Sequence, residues 1–327
     1  MQVIIPLAGK GTRLRPHTHL VPKPMLKVAG RPVMDWVMDT LSGLDVDELI
    51  FVTGHLKAQV ESYSSKRYGI PARYVEQKVQ DGTAGAVNLA RPYVTGPSMI
   101  IFVDTVFEAD LSLVKTKDAD GIIWAKEVED YQRFGVVVTD ADGFMTKIVE
   151  KPSTPISKLA NIGLYYIRDM DALYAGIDDT LAKPSNKGEF YLTDAFQHMI
   201  EQGKRIYTAE VQGWYDCGKL DTLLETNAVL LAKGAAQRPA FDVDVTIIEP
   251  VLIRDNVTVI NSTIGPNVTI EAGSVIADST IRHSILGEHC TIAGATLHDS
   301  MLGNRVTAKH VKGAFSLGDD CELVGGV

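Results

Sequence analysis

The sequence predicts an α/β fold with a mostly parallel sheet, followed by a short parallel β-helix. Over residues 1–233, apolar segments typical of strands alternate with segments of helical periodicity, as in a sheet covered by helices on both faces. The first apolar segment, residues 3–7, runs directly into a loop with two glycines, which is typical of the ligand-binding edge of a doubly wound sheet. After Gly234 the helical periodicity ends, and aliphatic residues return at short intervals between polar turns, as in hexapeptide-repeat β-helices.

The bulk properties bound the architecture and the classes of partner. A chain of 327 residues favours two domains, and the change in composition predicts an α/β domain at residues 1–233, a linker at 234–244 and a β-helix at 245–327. The net charge of −9 argues against nucleic-acid binding, which needs a basic surface. The 3 cysteines are far apart and lack C-x-x-C spacing, which argues against a disulfide framework and a zinc site.

The chain also lacks the sequence features of a membrane or secreted protein. No apolar run approaches the length needed to span a bilayer. The N-terminal apolar run stops at a glycine loop and not at a cleavage site of small residues, so a signal peptide is not expected. We therefore expect a cytoplasmic protein that does not contact a membrane.

The first loop, A-G-K-G-T-R-L at residues 8–14, has the residue types of a phosphate-binding loop. Gly9 and Gly11 remove Cβ atoms where the backbone must turn and approach an anion, and cations within and beside the loop add positive charge. The loop matches neither G-x-G-x-x-G nor G-x-x-x-x-G-K-[ST], which argues against a dinucleotide fingerprint and a P-loop. A second motif, P-K-P-M-L, follows at residues 22–26.

Helices and strands are expected in alternation along the first domain. We expect helices at residues 31–43, 58–68, 170–176, 192–202 and 220–233, and strands at 48–53, 72–76, 98–103, 121–127, 135–138 and 145–149. Because ligands of open α/β sheets bind outside the carboxyl ends of the strands, residues that follow these strands are the candidates for function.

Two candidate positions follow strands directly. The segment from Gln77 to Gly82 enters a helix of small residues, which would let a flat group lie against the backbone; a tightly packed helix start would use the same residues. Asp104 follows a buried apolar run, where a carboxylate is costly unless it is solvated, paired or bound to a metal. A Mg²⁺ ligand is a natural role for Asp104; a helix N-cap is the alternative, but Asp110 is better placed for that.

The remaining candidates lie at strand ends or before helices, and they are Gly135, Glu150, Lys151, Asn161, Glu189 and Asp216. By itself, Glu150-Lys151-Pro152 favours a solvated ion pair. Glu189 by itself suits a carboxylate near a helix N-terminus. Asp216 is far in sequence from Asp104, so only the fold can bring the two carboxylates together.

The pair of motifs L-A-G-x-G-T-R-L and P-K-P-M-L resembles the signature of the sugar-phosphate nucleotidyltransferases, also called nucleoside-diphosphate-sugar pyrophosphorylases. The resemblance covers nearly the whole chain and is closest to long-form glucose-1-phosphate thymidylyltransferases. It implies a Rossmann-like, mostly parallel sheet followed by a short left-handed parallel β-helix. The implied reaction is attack by a sugar-1-phosphate oxygen on the α-phosphorus of a nucleoside triphosphate, with release of pyrophosphate and with Mg²⁺ as the cofactor.

The resemblance also implies a role for each candidate residue. Arg13 and Lys23 would hold phosphates, and Asp104 and Asp216 would bind one Mg²⁺. The implied nucleotide-binding set is Leu7, Ala8, Gly9, Gly11, Thr12, Gln77 and Gly82. The implied sugar-phosphate set is Gly135, Glu150, Lys151, Asn161 and Glu189. The chain departs from the family at Val103, where a glycine usually precedes the aspartate.

The same motifs leave alternatives open. Glucose-1-phosphate with dTTP or UTP is the expected substrate pair, but P-K-P-M-L and G-T-A-G-A also occur in mannose-1-phosphate guanylyltransferases and in other uridylyltransferases. Non-catalytic regulatory subunits share the two-domain arrangement, although they tend to lose the loop cations or the metal-binding acids, all of which this chain has.

The predicted β-helix is expected to assemble a homo-oligomer, because its exposed faces would bury apolar surface against copies of themselves. It should contain about four or five coils of roughly eighteen residues. Four histidines fall within it, and we interpret them as exposed turn residues and not as acyl-transfer groups: His283, His289, His298 and His310.

Overall fold

The computed structural model describes residues 1–186, 188–241 and 244–326; residues 242 and 243 of the predicted linker, together with Lys187 and Val327, lie outside the described residues. The chain forms two compact units. We call Met1–Lys10 with Val37–Trp214 the α/β unit, and Gly11–Trp36 with Tyr215–Val327 the β-helix unit. The segment Gly11–Trp36, which contains P-K-P-M-L, therefore packs with the C-terminal strands.

The α-helices lie close to their predicted positions. They are α1 Val33–Asp39, α2 Lys57–Arg67, α3 Thr83–Ala90, α4 Leu113–Thr116, α5 Met170–Ala182, α6 Leu192–Glu201 and α7 Leu220–Leu230. Short 3-10 turns occur at Thr12–Leu14, His17–His19, Lys23–Met25, Thr40–Gly43, Arg91–Tyr93 and Tyr131–Arg133, and a π turn at Leu231–Ala235. No helix of the described residues is long and apolar enough to cross a membrane.

The strands up to residue 216 include the expected ones and several short additions. They are β1 Gln2–Pro6, β2 Lys27–Val28, β3 Arg31–Pro32, β4 Glu48–Thr53, β5 Ala72–Glu76, β6 Ser98–Ile101, β7 Thr105–Glu108, β8 Gly121–Glu127, β9 Gly135–Thr139, β10 Met145–Glu150, β11 Leu159–Ile167, β12 Ile206–Glu210 and β13 Gly213–Asp216.

The main sheet of the α/β unit is mixed, with order β10-β9-β11-β6-β1-β4-β5, and β8 pairs with both β11 and β12. The strands β5, β4, β1 and β6 are parallel, as expected from the helices between them. Beyond β6, β11 is antiparallel to its neighbours β6, β8 and β9, and β9 is antiparallel to β10. The change of direction follows from short connections without helices, because a parallel connection needs a long crossover.

Helices α3, α5 and α6 cover one face of this sheet. Their buried residues Val87, Leu173 and Phe196 share a core with Ile4 and Ile100 of the central strands, and all five are fully buried. The first loop leaves from β1, which pairs with β4 on one side and with β6 on the other.

The C-terminal strands form two parallel stacks, consistent with the predicted left-handed β-helix. They are β14 Thr246–Ile247, β15 Val251–Ile253, β16 Thr258–Ile260, β17 Thr263–Ile264, β18 Val268–Ile270, β19 Val275–Ala277, β20 Thr280–Leu286, β21 Thr291–Ala293, β22 Thr296–Leu302, β23 Thr307–Lys309, β24 Lys312–Gly313, β25 Ser316–Leu317 and β26 Glu322–Val324.

The coils are shorter than the predicted eighteen residues. Asn261 bonds to Asp278 in the next coil, 17 residues on; Glu288 bonds to Asn304, 16 residues on; and Asn304 bonds to Asp319, 15 residues on. The inward side of the strands is filled by aliphatic residues such as Ile264, Ile281 and Leu297, all fully buried.

Residues with left-handed backbone conformation stack at the corners of successive coils. One such column is Asn267, His283 and Asp299, with φ of 64°, 42° and 46°. His289 and His310 also have positive φ, at 58° and 54°, and both are exposed. Three of the four histidines therefore occupy corner positions, where asparagine, aspartate and histidine are enriched because they tolerate this conformation.

Candidate active site

The first loop leaves β1 at the carboxyl edge of the parallel strands. The amide of Leu7 donates to the carbonyl of Val52 on β4 over 2.8 Å, which continues the pairing past the strand end. Ala8 is buried beside Gly54, where an added Cβ would lie 2.7 Å from the Ala8 carbonyl oxygen. The side chain of Gln80 donates to that same carbonyl. This part of the predicted nucleotide-binding set is thus fixed by neighbours at the strand ends.

Gly9 and Gly11 differ in whether the fold requires a glycine at that position. Gly11 has φ of 61°, and an added Cβ would lie 3.0 Å from Thr18 Cγ2 and 3.1 Å from Lys23 Cβ. Gly9 has no positive φ, and an added Cβ would meet no atom within 4 Å. The sequence argument from backbone geometry therefore holds for Gly11, whereas packing within the described residues does not demand a glycine at position 9.

Gln77 and Gly82 come together in the second loop. Gln77 is 7% exposed, and its Nε2 donates to Asp81 Oδ1 over 2.9 Å and to the Gly82 carbonyl over 3.2 Å. Gly82 has φ of 108°, and an added Cβ would lie 2.4 Å from the Phe190 carbonyl oxygen. Position 82 therefore needs glycine for packing against residue 190 as well as for its backbone conformation.

Asp104 follows β6 and is half-buried. Its strand is held by β11, since the amide of Phe102 donates to the Gly163 carbonyl over 2.8 Å. Val103, the departure from the family pattern, has no positive φ and is 5% exposed, so its side chain packs inside without backbone strain. Valine therefore fits at position 103 without strain, and Asp104 follows it just past the end of β6.

Three residues of the predicted sugar-phosphate set converge at the ends of β9, β10 and β11. The side chain of Asn161 donates to the Gly135 carbonyl over 3.0 Å. An added Cβ at Gly135 would lie 2.3 Å from Asn161 Nδ2 and 2.9 Å from Glu150 Oε2. Thr193 Oγ1 donates to Glu150 Oε2 over 3.2 Å. Asn161, Glu150 and Thr193 are separated along the sequence, but all three side chains lie around Gly135. The absence of a side chain at position 135 leaves a small space between them.

Glu150 and Lys151 form an ion pair beside this space. Lys151 Nζ lies 3.3 Å from Glu150 Oε1. Burial raises the pKa of the Glu150 carboxyl, and Lys151 partly offsets that rise. Burial opposes the charge of Lys151 as well, but Glu150 and Tyr191 raise the pKa of Lys151 overall. An exposed cation next to a half-buried carboxylate is suited to bind a phosphate and a hydroxyl group side by side.

Tyr191 lies between Glu189 and Lys151 and interacts with both side chains. Lys151 Nζ lies 4.7 Å from the centre of the Tyr191 ring. Burial and a hydrogen bond with Glu189 raise the pKa of the Tyr191 hydroxyl, and Lys151 acts in the opposite direction. Glu189 itself is exposed and borders a depression of about 280 Å³ together with Asp194 and His198.

In the β-helix unit, Gly11 and Thr12 belong to the turn that presents Arg13, and Lys23 lies against that turn. The amide of Leu14 donates to the Gly11 carbonyl over 2.9 Å, and Thr18 Oγ1 donates to the same oxygen over 2.8 Å. Arg13 is exposed, and Lys23 begins a 3-10 turn.

Asp216 and Arg13 both lie beside Gly218. The Oδ1 of Asp216 accepts from the Gly218 amide over 2.7 Å. An added Cβ at Gly218 would lie 2.7 Å from that oxygen and 3.6 Å from Nη2 of Arg13. Arg13 and Asp216, which are about two hundred residues apart, thus both border Gly218.

The predicted metal ligands belong to different units, with Asp104 in the α/β unit and Asp216 in the β-helix unit. Among the described residues, no group of three or more His, Cys, Asp or Glu side chains is arranged to hold a metal. A metal bound here would therefore need ligands beyond such a protein cluster, as Mg²⁺ does when it is held by one or two carboxylates and by substrate phosphates.

Several residues of this site were not found from the sequence. Thr193 bonds to Glu150, the hydroxyl of Tyr165 donates to Asn161 Oδ1, and Asp81 accepts from Gln77. Burial raises the pKa of the Tyr165 hydroxyl, with Glu150 and Asp104 adding to the rise, so Asp104 is electrostatically coupled to this group. Gln77 with Asp81 and Asn161 with Tyr165 are each four residues apart, a spacing that a local pattern could reveal, whereas Thr193 and Glu150 are separated by 43 residues.

Comparison with known proteins identifies relatives of the chain. A bifunctional protein GlmU of Methanococcus aeolicus is 32% identical over 281 residues, which cover 86% of this chain and 61% of that protein. The UTP–glucose-1-phosphate uridylyltransferase AglF of Haloferax volcanii is 33% identical over 221 residues, covering 65% of this chain and 89% of that protein. The chain thus spans less than two thirds of the GlmU relative and most of AglF.

A solved structure and a family match agree with these relatives. A crystal structure from Bacillus anthracis, described as a glucose-1-phosphate thymidylyltransferase, has a TM-score of 0.62 and 26% identity, and covers 70% of this chain and 94% of that chain. The nucleotidyl transferase family matches residues 2–233, which is more than half of the sequence. The chain therefore belongs to the nucleotidyl transferase family.

Proposed function

We propose that this protein is a sugar-1-phosphate nucleotidyltransferase, which joins a nucleoside monophosphate unit to a sugar-1-phosphate and releases pyrophosphate. The observation that carries the proposal is the convergence of Gly135, Glu150 and Asn161 beside Lys151. This arrangement offers a cation for a phosphate and polar atoms for sugar hydroxyls within one short distance. Membership of the nucleotidyl transferase family supports the reaction class.

The proposed chemistry needs no side-chain nucleophile. A sugar-1-phosphate oxygen attacks the α-phosphorus, the bond to the β-phosphate oxygen breaks, and pyrophosphate leaves. Such a reaction depends on alignment of two anions and on neutralisation of developing charge. In our proposal Leu7, Ala8, Gly9, Gly11 and Thr12 hold the nucleotide through backbone groups, and Gln77 and Gly82 border the base. Arg13 and Lys23 bind phosphates of the triphosphate, and Lys151 binds the sugar phosphate.

We also propose that Mg²⁺ is the cofactor and that Asp104 and Asp216 would hold it. Their donor set fits the ion, because Mg²⁺ prefers carboxylate and phosphate oxygens. When bound, the ion neutralises phosphate charge during the displacement. Asp104 lies just past β6 at the carboxyl edge of the sheet, and Asp216 and the guanidinium of Arg13 both lie beside Gly218.

Glucose-1-phosphate with dTTP or UTP is the proposed substrate pair. The AglF relative is a glucose-1-phosphate uridylyltransferase, and the similar solved structure is described as a thymidylyltransferase. GTP with mannose-1-phosphate is the alternative within the class, because the base loop does not distinguish the bases by its sequence. A regulatory subunit without activity is the alternative outside it.

A single assay separates these alternatives. Pyrophosphate release is measured for the full chain with each nucleoside triphosphate and each sugar-1-phosphate in turn. We expect glucose-1-phosphate with dTTP or UTP to give the highest kcat/KM. A tenfold preference for GTP with mannose-1-phosphate, about 1.4 kcal/mol in the transition state, would reassign the substrates. No release with any pair would favour the regulatory subunit.

Two further parts of the proposal concern architecture. We propose a catalytic domain at residues 1–233, a linker at 234–244 and a β-helix domain at 245–327; the family match to residues 2–233 supports the first boundary. We also propose that the β-helix joins copies of the chain, since its outer surface carries the exposed apolar residues Ile260 and Val275. The cytoplasmic location remains a prediction.

A further inference from the structure

The segment Gly11–Trp36, which contains Arg13 and Lys23, contacts the β-helix at three separate levels. His17 Nε2 lies 3.1 Å from Ser316 Oγ in the last coils. Lys27 Nζ donates to Glu271 and Glu288 in the middle coils, over 3.0 Å in each case. Arg254 Nη2 donates to the carbonyl of Gly30 over 2.6 Å near the first coils. The segment therefore contacts the β-helix from its first coils to its last coils.

The contact between Lys27 and Glu271 is the most buried of these. Glu271 is only 5% exposed, and its Oε1 has no hydrogen-bond partner among the described residues. Its Oε2 lies 3.0 Å from Lys27 and 4.0 Å from Arg254. Burial opposes the charge of Lys27, but Glu271 and Glu288 raise the pKa of Lys27 overall. A buried carboxylate with so few partners depends strongly on its nearest cation, and Lys27 lies closer to Glu271 than Arg254 does.

The residues just before Lys27 form a hydrogen-bonded turn that includes Lys23, which is proposed to bind phosphate. The amide of Met25 donates to Pro22 over 2.8 Å, and the amide of Leu26 donates to Lys23 over 3.2 Å. These bonds hold residues 22–26 in one turn, and Lys27 follows that turn directly in the chain. On its other side, Lys23 Cβ lies against Gly11, which precedes Arg13 by two residues. A displacement of Lys27 would therefore move Lys23 and the Arg13 turn.

We infer that Glu271 is a positioning residue for catalysis: through Lys27, the β-helix holds the segment Gly11–Trp36 in the conformation that binds the nucleoside triphosphate. The inference rests on the proposed function, and it gives the β-helix a part in catalysis beyond assembly. The inference also predicts different effects on the binding of the two substrates. The segment carries triphosphate-binding residues, whereas the proposed sugar-phosphate residues Gly135, Glu150, Lys151, Asn161 and Glu189 all belong to the α/β unit.

The test compares full-length variants in steady-state kinetics well below their unfolding temperatures. Glu271→Gln and Lys27→Met remove the ion pair, and the double variant removes both partners. Asp299→Asn is the matched control, because Asp299 also pairs with two side chains on the β-helix, His283 and His298, without contacting the segment. We expect Glu271→Gln and Lys27→Met to raise the KM for the triphosphate about tenfold while the KM for the sugar-1-phosphate stays within about twofold.

The pair should also behave as one unit. The double variant is expected to resemble either single variant, because residues in direct contact are not additive. Lys27→Arg keeps the charge and should restore most of the triphosphate affinity. A lower kcat with both KM values unchanged would indicate loss of folded enzyme, and equal rises in both KM values would indicate a general distortion of the site; either result would overturn the inference.

A second readout does not depend on activity. Amide hydrogen exchange over residues 11–36 should be faster in Glu271→Gln and Lys27→Met than in the parent protein and in Asp299→Asn. Unchanged exchange in that segment would overturn the positioning role even if the kinetics changed. If the parent protein released no pyrophosphate with any substrate pair, the proposed function would fail, and faster exchange together with weaker triphosphate binding by calorimetry would still support the positioning of this segment.

Discussion

A methyl group at position 135 would overlap three side chains of the proposed sugar-phosphate group. An added Cβ lies 2.3 Å from Asn161 Nδ2, 2.7 Å from Thr193 Cγ2 and 2.9 Å from Glu150 Oε2. Gly135→Ala should therefore displace Asn161 and Glu150 and raise the KM for the sugar-1-phosphate by about tenfold or more, with little effect on the KM for the triphosphate. Steady-state kinetics with each substrate varied in turn measures both values.

Gly43→Ala is the control for this change, because Gly43 lacks a positive φ and an added Cβ there meets no atom within 4 Å. It should leave both KM values unchanged. If Gly135→Ala raised the two KM values equally, the space at position 135 would not belong to the sugar-phosphate site.

The proposed Mg²⁺ ligands Asp104 and Asp216 can be tested by substitutions that remove their charge. Asp104→Asn and Asp216→Asn keep the side-chain shape but remove the charge that attracts the ion. Each should lower kcat by about a hundredfold or more at millimolar Mg²⁺, and the double variant should be about as poor as either single one, because both act on one ion. Turnover is measured across a Mg²⁺ titration, with circular dichroism to check folding.

Asp118→Asn is the matched control, since Asp118 is a surface carboxylate paired only with a surface arginine, Arg168, in the contacts described. It should keep full activity. Full activity in Asp104→Asn or Asp216→Asn would remove that residue from the metal site.

His17 predicts how stability changes with pH. Burial lowers the pKa of His17 to about 4, while Asp319 acts weakly in the opposite direction. Above pH 6.5 both the folded and the unfolded chain carry a neutral His17, so its contribution is fully present. As pH falls from 6.5 to 4, only the unfolded state gains the proton, and the free energy of unfolding drops by about 3 kcal/mol from this residue.

The measurement is urea unfolding at pH 7.5 and pH 5 for the parent protein, His17→Gln and His19→Gln. His19 is the exposed neighbour and serves as the control. The decrease on acidification should be smaller by about 2 kcal/mol in His17→Gln than in the other two proteins. The same decrease in all three would show that His17 is protonated as easily in the folded chain as in the unfolded one.

Sequence reasoning at the residue scale can propose site residues where a motif is contiguous. The glycine loop, Gln77 with Gly82, and Glu150 with Lys151 all lie in short stretches with recognisable spacing. Thr193 escapes this reasoning, because its only relation to Glu150 is a contact across 43 residues of chain. The packing role of Gly82 against residue 190 is hidden for the same reason.

At the scale of elements, the sequence predicts the first residue of a helix better than its last residue. Helix α5 was expected to stop at Gly176 but continues to Ala182. Gly176 is buried, and an added Cβ would lie 2.6 Å from the Ala195 carbonyl oxygen of α6. The glycine therefore permits close packing of α5 on α6, and a local pattern cannot distinguish this role from that of a helix stop.

The β-helix offers a test of how a corner is built. Gly265 has φ of 110°, and an added Cβ would lie 1.8 Å from the Ile248 carbonyl oxygen of the preceding coil. Gly234 has nearly the same φ, 112°, but an added Cβ there meets no atom within 4 Å. Gly234→Ala should cost about 1–3 kcal/mol from backbone strain alone, and Gly265→Ala should cost at least about 2 kcal/mol more.

Thermal or urea unfolding of the two variants measures the difference, which isolates the overlap with Ile248 because the strain at φ is shared. Equal losses of stability would mean that neighbouring coils can separate to admit a methyl group, and the stacking would then be less rigid than the described distances imply.

At the scale of the whole molecule, the division of the chain is the feature that the sequence did not predict. The expected boundary near residue 233 follows a change in composition, and it leaves the whole N-terminal region in one domain. In the structure, Gly11–Trp36 packs in the same unit as the β-helix, through contacts such as Lys27 with Glu271 and Glu288 that cross 244 and 261 residues of chain. Such distant pairs leave no periodic signal in a single sequence.

The last prediction concerns assembly through the outer face of the β-helix. In β16 and β19 the outward residues Thr258, Ile260, Val275 and Ala277 are uncharged, and Ile260 and Val275 are 49% and 42% exposed. This uncharged part of the sheet face favours association with a second copy, because apolar surface leaves water on both sides of the contact. Two lysines there would have to lose hydration inside the interface, so Ile260→Lys combined with Val275→Lys should lower the number of subunits found by light scattering. Val79→Lys changes a 72% exposed residue of the α/β unit and should leave that number unchanged. A monomeric parent protein, or an unchanged subunit count in the double variant, would show that this face does not join copies of the chain.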